Sequence, residues 1–468
     1  MWNELPRLAQ ALIPIVGLLI LVGIIVGRLP KINLGHSPAF IRRRRLNWIP
    51  LGLTYSFLYM GRYNLTVAKN ALSGMSNQDF GTIFFWGTLT YGFSFLINGP
   101  LADRWGGRKT IILAAVGSSI MNLAMGLVLY NGATGNLVTV FSVLYAMNMY
   151  FQSFGAVSIV KVNASWFHVR ERGVLGGVFG ILISLGVYFA YDGNRMFLEM
   201  LSSEGDPAIH WVFFVPAALL LTFAAVSYFL VFDTPSDVGH EDFDVADASS
   251  GEDHGSETAA QVFGRMFASP IIMTIAVIEF CSGYLRQAIM QWGAIFLKQT
   301  GQGEGIVSEN WGMLLCMAGI TGGIFAGTIS DHLFNSRRGP VASVLYAGML
   351  LGGIVMLVVL ETGFLGWLVV LMSLCIIGVH GMLSGTASMD FGGKKNAGIA
   401  VGIIDGFVYL GTAVQAIFLG YILPDGDAAA DAANWNIWPL AMLPIAIVGL
   451  LFATKIWNAR PKAVKTDS

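Results

Sequence analysis

Two arginines stand where hydrocarbon is expected. Arg62 lies in "YMGRYNL", after a stretch, "NWIPLGLTYSFLYMG", that carries no charge. Arg286 lies in "GYLRQAIMQW", inside a second apolar run. An ionisable group at the bilayer centre costs at least about 2.5–3.5 kcal/mol on insertion scales, so such groups face a protein interior or a cavity. A guanidinium presents a planar fork of donors that matches phosphate or carboxylate. Two of them aimed at one cavity repel unless an anion sits between them. A tetrahedral phosphate has enough oxygens to accept from both sides; a single carboxylate has fewer. The alternative is that each arginine pairs with a buried acid, such as Asp192 or Asp405, or with helix carbonyls.

The elements that must position these arginines are membrane helices. The chain has 468 residues, 55% hydrophobic and only 12% charged, against about 25% charged in soluble domains. Its mean hydropathy is +0.66. Apolar runs recur, each long enough to cross a hydrocarbon core of about 30 Å as a helix. The 57 glycines suit closely packed membrane helices. The fold class is therefore an all-α membrane protein. A net charge of −1 says nothing about partners. Cys281, Cys316 and Cys375 are far apart in apolar runs and form no metal or disulfide pattern. No nucleophile–base arrangement, metal cluster or nucleotide loop is present, so an enzyme, a cofactor and a nucleic-acid partner are not expected.

The first apolar run, "ALIPIVGLLILVGIIVG" (11–27), follows a weak n-region and precedes "RRRR" at 42–45. It is expected to be an uncleaved helix with its N-terminus outside. Twelve more spans are expected near 47–69, 80–101, 109–130, 137–162, 173–192, 211–232, 269–297, 310–330, 340–360, 364–389, 398–422 and 436–457. With this layout Arg42–Arg45, Arg104, Arg108, Lys109, Arg170, Arg172, Arg337, Arg338, Lys394, Lys395 and the tail cations all fall on one side. The opposite loops "SGMSNQD", "NGATGN" and "PDGDAAADAANWN" contain no lysine or arginine. That asymmetry places the basic side in the cytoplasm of a cell inner (plasma) membrane, with a cytoplasmic C-terminus. Arg62, about 15 residues into its span, is then roughly 22 Å from the cytoplasmic end, too deep for easy snorkelling.

The acidic, polar segment after residue 232 reads as a flexible cytoplasmic linker. It divides two similar halves. "GPLADRWGGRK" (99–109) and "GTISDHLFNSRR" (327–338) each end a second span with glycine, aspartate four residues on, and basic residues after a tight turn. Arg62 precedes Asp103 by 41 residues and Arg286 precedes Asp331 by 45. The arginines thus occupy corresponding places and would face one cavity near the midplane, where transporter substrates bind. The expected organisation is 1–46 (additional helix and basic loop), 47–232 (first six-helix half), 233–266 (linker), 267–457 (second half) and 458–468 (tail). Asp103 and Asp331 are expected to pair with nearby cations, with Arg104 and Arg108 as gating candidates, or with helix N-termini when the cytoplasmic face closes.

Two six-helix halves with these loops resemble the major facilitator superfamily. Within it, residues 47–457 resemble the organophosphate:phosphate antiporters, the family of the bacterial glycerol-3-phosphate and hexose-phosphate transporters. The strings that carry the resemblance are "YMGRYN", "TYGFSFLINGPLADR", "YFQSFG", "SWFHVRERG", "DTPSDVG", "YLRQAIMQW", "AGITGGIFAGTISDHLFNSRRG" and "KKNAGIAVG". In that family the arginines matching Arg62 and Arg286 bind the substrate phosphoryl group. The resemblance implies rocker-switch exchange of a phosphate ester for inorganic phosphate by a protein taken here as a monomer in the lipid bilayer. It also implies that Tyr91 and Gln152 line the path. Lys161 and Asp390 match charges at the cytoplasmic ends of the fourth and tenth spans, either as a gate pair or as two separate interfacial charges.

The departures from the pattern are Tyr63 for a lysine, Gln291 for an aspartate, Phe95 for a lysine, Cys316 for an acid and Ser165 for a histidine. Neutral groups replace charged ones in a way that largely balances. "RYNLTVA" also resembles the anion:cation symporters, which tend to carry an acid where this chain has Gly61 and lack a counterpart of Arg286. Asp405 and His380, in the eleventh and tenth spans, are candidates for a proton site, a specificity contact or an arginine partner. Tyr59, Tyr284, Gln287 and Tyr409 lie near the same depth as candidate substrate contacts. The competing function is a transporter-like sugar-phosphate sensor, for which the additional helix and "RRRR" would dock a partner.

Overall fold

The computed structural model describes residues 34–72, 74–133, 135–168, 171–203, 208–245, 259–302, 305–334, 337–383 and 397–459, with 16–17, 20 and 23–24. The additional N-terminal span, the middle of the linker (246–258) and the tail lie mostly or wholly outside these. Each of the other twelve expected spans has a helix. They are α1 (Pro38–Ala71), α2 (Asn77–Trp105), α3 (Gly107–Tyr130), α4 (Leu137–Trp166), α5 (Arg172–Tyr188) and α6 (Trp211–Leu230), then α7 (Pro270–Gln299), α8 (Trp311–Leu333), α9 (Arg338–Val359), α10 (Leu365–Met382), α11 (Ala397–Ile422) and α12 (Ile437–Lys455). Among the described residues, nine helices are long and apolar enough to cross a membrane.

Local chemistry sets the helix ends. Ser37 caps α1, accepting from Phe40 N at 3.2 Å, and Pro38 supplies the preset first turn. The helix therefore starts before the apolar run, and Arg42–Arg45 lie on its first turns. α2 opens on a reciprocal capping box between Ser76 and Asp79. It passes to α3 through the single residue Gly106, at φ +87°. A Cβ there would meet Asp233 Oδ2 at 2.5 Å, so glycine is required twice over. Asp233, the acid of "DTPSDVG", accepts from Arg108 N at 2.9 Å and so caps α3 from another segment. The start of the linker is ordered as well: Phe243 and His240 pack edge-on against Phe40.

The two halves repeat one packing pattern. α2 packs on α4, and α8 on α10; α3 packs on α6, and α9 on α12; α1 packs on α5, and α7 on α11. The halves meet through α2 against α11 and α5 against α8, again a related pair of pairs. At the α7–α11 crossing a Cβ on Gly283 would fall 1.9 Å from Val408 O, and one on Gly411 2.0 Å from Phe280 O. Only glycine permits this backbone approach, which fixes Arg286 and Tyr409 relative to each other.

Candidate anion site

α1 carries Arg62 to a fully buried position. Its Nε donates to Gln152 Oε1 of α4 at 2.8 Å. Its Nη2 donates to Tyr91 Oη of α2 at 3.1 Å, and Nη1 to Tyr409 Oη of α11 at 2.7 Å. The guanidinium carbon lies 4.5 Å from the Tyr59 ring centroid and 4.6 Å from that of Tyr91. The charge is thus held by an amide, two phenols and ring faces, and none of these bonds goes to a carboxylate.

The backbone under Arg62 is clamped by polar side chains that sequence reasoning passed over. The Met60 carbonyl accepts from Asn194 Nδ2 at 3.1 Å. The Gly61 carbonyl accepts from Asn122 at 3.2 Å and Asn148 at 3.0 Å. The Arg62 carbonyl accepts from Tyr145 Oη at 2.9 Å. Asn148 and Ser118 also hold Gln152 Nε2, at 3.2 and 3.0 Å. Asparagines buried among apolar helices are costly without partners, and that cost was the available signal.

Arg286 is the open counterpart. It is buried on α7, and its Nε and Nη2 have no hydrogen-bond partner among the described residues. Tyr59, Tyr63 and Tyr409 interact electrostatically with Arg62 and Arg286 alike, so the two cations share one tyrosine-lined environment. Orphan donors on a buried cation are expensive, and an anion can satisfy them.

Two of the five positions that depart from the antiporter pattern, Tyr63 and Gln291, belong to one hydrogen-bonded chain across the halves. Gln287 Nε2 donates to Tyr63 Oη at 2.8 Å, Gln291 Nε2 donates to Gln287 Oε1 at 3.3 Å, and Thr66 Oγ1 donates to Gln291 Oε1. Tyr284 is buried on the same helix. His380 of α10 is bonded through Nδ1 to Glu279 Oε2 at 2.8 Å. Glu279, unremarked in the sequence, is a wholly buried acid two turns before Arg286. Asp405 is partly buried on α11 and lies within electrostatic reach of Tyr91 and His380.

Asp192 does not partner either arginine. Its Oδ1 accepts from Gly312 N at 2.9 Å and its Oδ2 from Met313 N at 2.7 Å, so it caps α8 of the other half. A π-helical turn at Phe189–Gly193, just after α5, presents it. Arg195 donates to the Ser308 and Glu309 carbonyls beside it. The far end from the basic surface carries further bonds between halves. Asn77 donates to Gln299 Oε1 at 3.0 Å and to Pro424 O at 2.7 Å, and Asn70 to Ala294 O at 3.2 Å.

The expected gate residues are placed less completely. Arg108 bonds the Tyr228 carbonyl and covers the Phe232 ring at 4.3 Å, both within its own half. Arg104 is exposed, and Lys161 is partly buried on α4 with a contact of its own. The side chains of Asp103 and Asp331, and all of Asp390, lie outside the described residues.

Similarity to known proteins follows the same architecture. Residues 51–416 match the Major Facilitator Superfamily. The chain is 26% identical to a glycerol-3-phosphate transporter of Bacillus subtilis, over 91% of this chain and 95% of that one. It is 22% identical to a probable hexose phosphate transport protein of Chlamydia trachomatis, over 92% and 96%. It is 25% identical to the membrane sensor protein UhpC of Escherichia coli, over 89% and 93%. Among solved structures, a bacterial homologue of the human lysosomal transporter Spinster superposes with a TM-score of 0.68 at 14% identity, covering 90% of this chain and 98% of that one. Helix order, the repeated halves and a match across most of its length make this chain a multi-pass membrane transporter that belongs to the major facilitator superfamily.

Proposed function

We propose that the protein exchanges an organic phosphate ester for inorganic phosphate by alternating access, with the anion held between Arg62 and Arg286. The halves 47–232 and 267–457 rock about that site, as a monomer. The basic surface and C-terminus face the cytoplasm of the inner membrane, and the N-terminus lies outside. One observation carries the reading: two buried guanidiniums share a tyrosine-lined environment, and Arg286 keeps donors free of any described partner. The relatives named for glycerol-3-phosphate and hexose phosphate support a phosphate-ester cargo. Tyr59, Tyr63, Tyr91, Gln152, Tyr284, Gln287 and Tyr409 then shape the cavity around the ester, while Asp405 and His380 lie at its margin.

Proteoliposomes loaded with phosphate test it. They should take up an external phosphate ester in exchange, without a proton gradient being required. Uptake that proceeds without internal phosphate and only with a proton gradient would replace exchange by symport. The sensor reading has one supporting observation, the likeness to UhpC. It wins if the protein binds an ester yet moves none.

A further inference from the structure

We propose that Glu279 and His380 form a proton-binding site that takes up a proton as an anion occupies the arginine pair. The proposal rests on the anion reading of Arg62 and Arg286. Its ground is a local imbalance of charge and hydrogen bonding. Glu279 is wholly buried; Oε2 meets His380 Nδ1 at 2.8 Å, while Oε1 has no hydrogen-bond partner among the described residues. Ser282 Oγ, on the next turn of α7, lies close enough to act on the Glu279 carboxylate but closes no hydrogen bond of good geometry with it. A buried carboxylate kept only for structure would have its second oxygen satisfied.

Placement links the pair to the anion. Glu279 precedes Arg286 by seven residues, which puts both on one face of α7, about 10 Å apart along the axis. Among the described residues, the other titratable groups that face the pair are Arg286 and Cys281 from α7, Tyr346 from α9, and Asp405 from α11 on the His380 side. Tyr346 has its hydroxyl committed to the Ile278 carbonyl. Among them, Arg286 is therefore the cation that compensates a Glu279 carboxylate.

A dianionic phosphate changes that balance. It engages the free donors of Arg286 and places two negative charges in the same low-dielectric interior. A carboxylate on the same helix face is then left against an anion with its cation already claimed. Protonation of the glutamate–histidine pair removes the conflict. The proton comes from bulk water, and an O–H or N–H bond forms within the pair. The His380 side chain retains 22% of its exposure while Glu279 has none, so the imidazole is the more accessible member of the pair. Anion and proton then travel together, and the loaded carrier carries less net charge across the membrane.

Calorimetric titration of the purified protein with inorganic phosphate, in two buffers of different ionisation enthalpy and at mildly alkaline pH, counts protons. Wild type should take up about one proton per phosphate bound, and E279Q should bind phosphate with uptake falling toward zero. Infrared difference spectra of the wild type with and without phosphate decide the matter without a variant, through a new protonated-carboxyl or imidazolium band. Phosphate binding without uptake and without such a band overturns the proton site and leaves the anion reading intact. Uptake that persists in E279Q but vanishes in D405N also overturns it, assigning the proton to Asp405. Failure of the wild type to bind phosphate or any ester overturns both readings, because this site is defined by the anion it answers.

Discussion

Arg62 of the first half and Tyr409 of the second are joined by a hydrogen bond of 2.7 Å that crosses between the halves. The phenol occupies one of the donors a phosphate would use. The empty carrier thus satisfies its first arginine with a group borrowed from the opposite half.

Tyr409→Phe should therefore act most on the empty protein. Arg62 Nη1 loses its acceptor while the ring packing against Tyr91, at 4.1 Å between centroids, survives. A buried donor without a partner costs about 1–3 kcal/mol. Thermal unfolding in detergent should show that loss, and added phosphate should raise the melting temperature of the variant more than that of wild type. Equal phosphate-induced shifts would mean that the phenol and the anion do not compete.

Arg62→Lys and Arg286→Lys keep the charge and lose the fork. Lysine at 62 cannot reach Gln152, Tyr91 and Tyr409 together. Losing one charge-assisted bond costs about 1.5–3 kcal/mol, so each variant should lose at least about tenfold in exchange rate. Phosphate self-exchange in proteoliposomes measures this, and near-normal exchange in either variant removes the central argument.

The neutral chain from Tyr63 to Thr66 tests substrate choice. Tyr63→Lys alone adds a third cation beside two buried arginines, and expression or thermal stability should fall by several kcal/mol on the scale of an unpaired buried charge. Adding Gln291→Asp should recover most of that loss, since the two positions are already connected through Gln287. The double variant should also change the preference among phosphate esters. A double-mutant cycle with zero coupling would separate the two positions energetically.

Asp192→Ala should loosen the far end. Its carboxylate caps α8 across the halves, and loss of such a cap costs about 0.5–2 kcal/mol. Cys316, fully buried on α8, reports the change. Its labelling by a small thiol reagent should accelerate in the variant and return toward the wild-type rate in Asp192→Asn if one oxygen suffices. Unchanged labelling would show that the bonds from Arg195, Asn77 and Asn70 suffice to hold the closure.

Much of the fold was legible because a membrane helix writes its length and its exceptions plainly. Arg62 and Arg286 stood out against apolar neighbours, whereas α1 begins at Pro38, before the expected span near 47–69. Glu279 carried the same signal as the arginines, an acid in an apolar run, yet the pair it forms with His380 joins helices 101 residues apart. Asp192 was legible as a buried acid but not as a cap, since its partners are backbone N–H groups of a distant helix, which no side-chain type announces. The asparagine clamp was hidden for a similar reason: it grips the carbonyls of residues 60–62, and every residue has a carbonyl.

That clamp also sets which part of the machine stands still. The carbonyls of Met60, Gly61 and Arg62 are tied to α3, to α4 and to Asn194, all of them in one half. Arg62 is the fixed jaw of a vise, rigid in the frame of its own half. Arg286 keeps donors without a partner among the described residues, and under the proposed function it would belong to the jaw that closes. Grip on the cargo would then be adjusted from one side only, and a variant that frees the fixed jaw should lose alignment before it loses affinity.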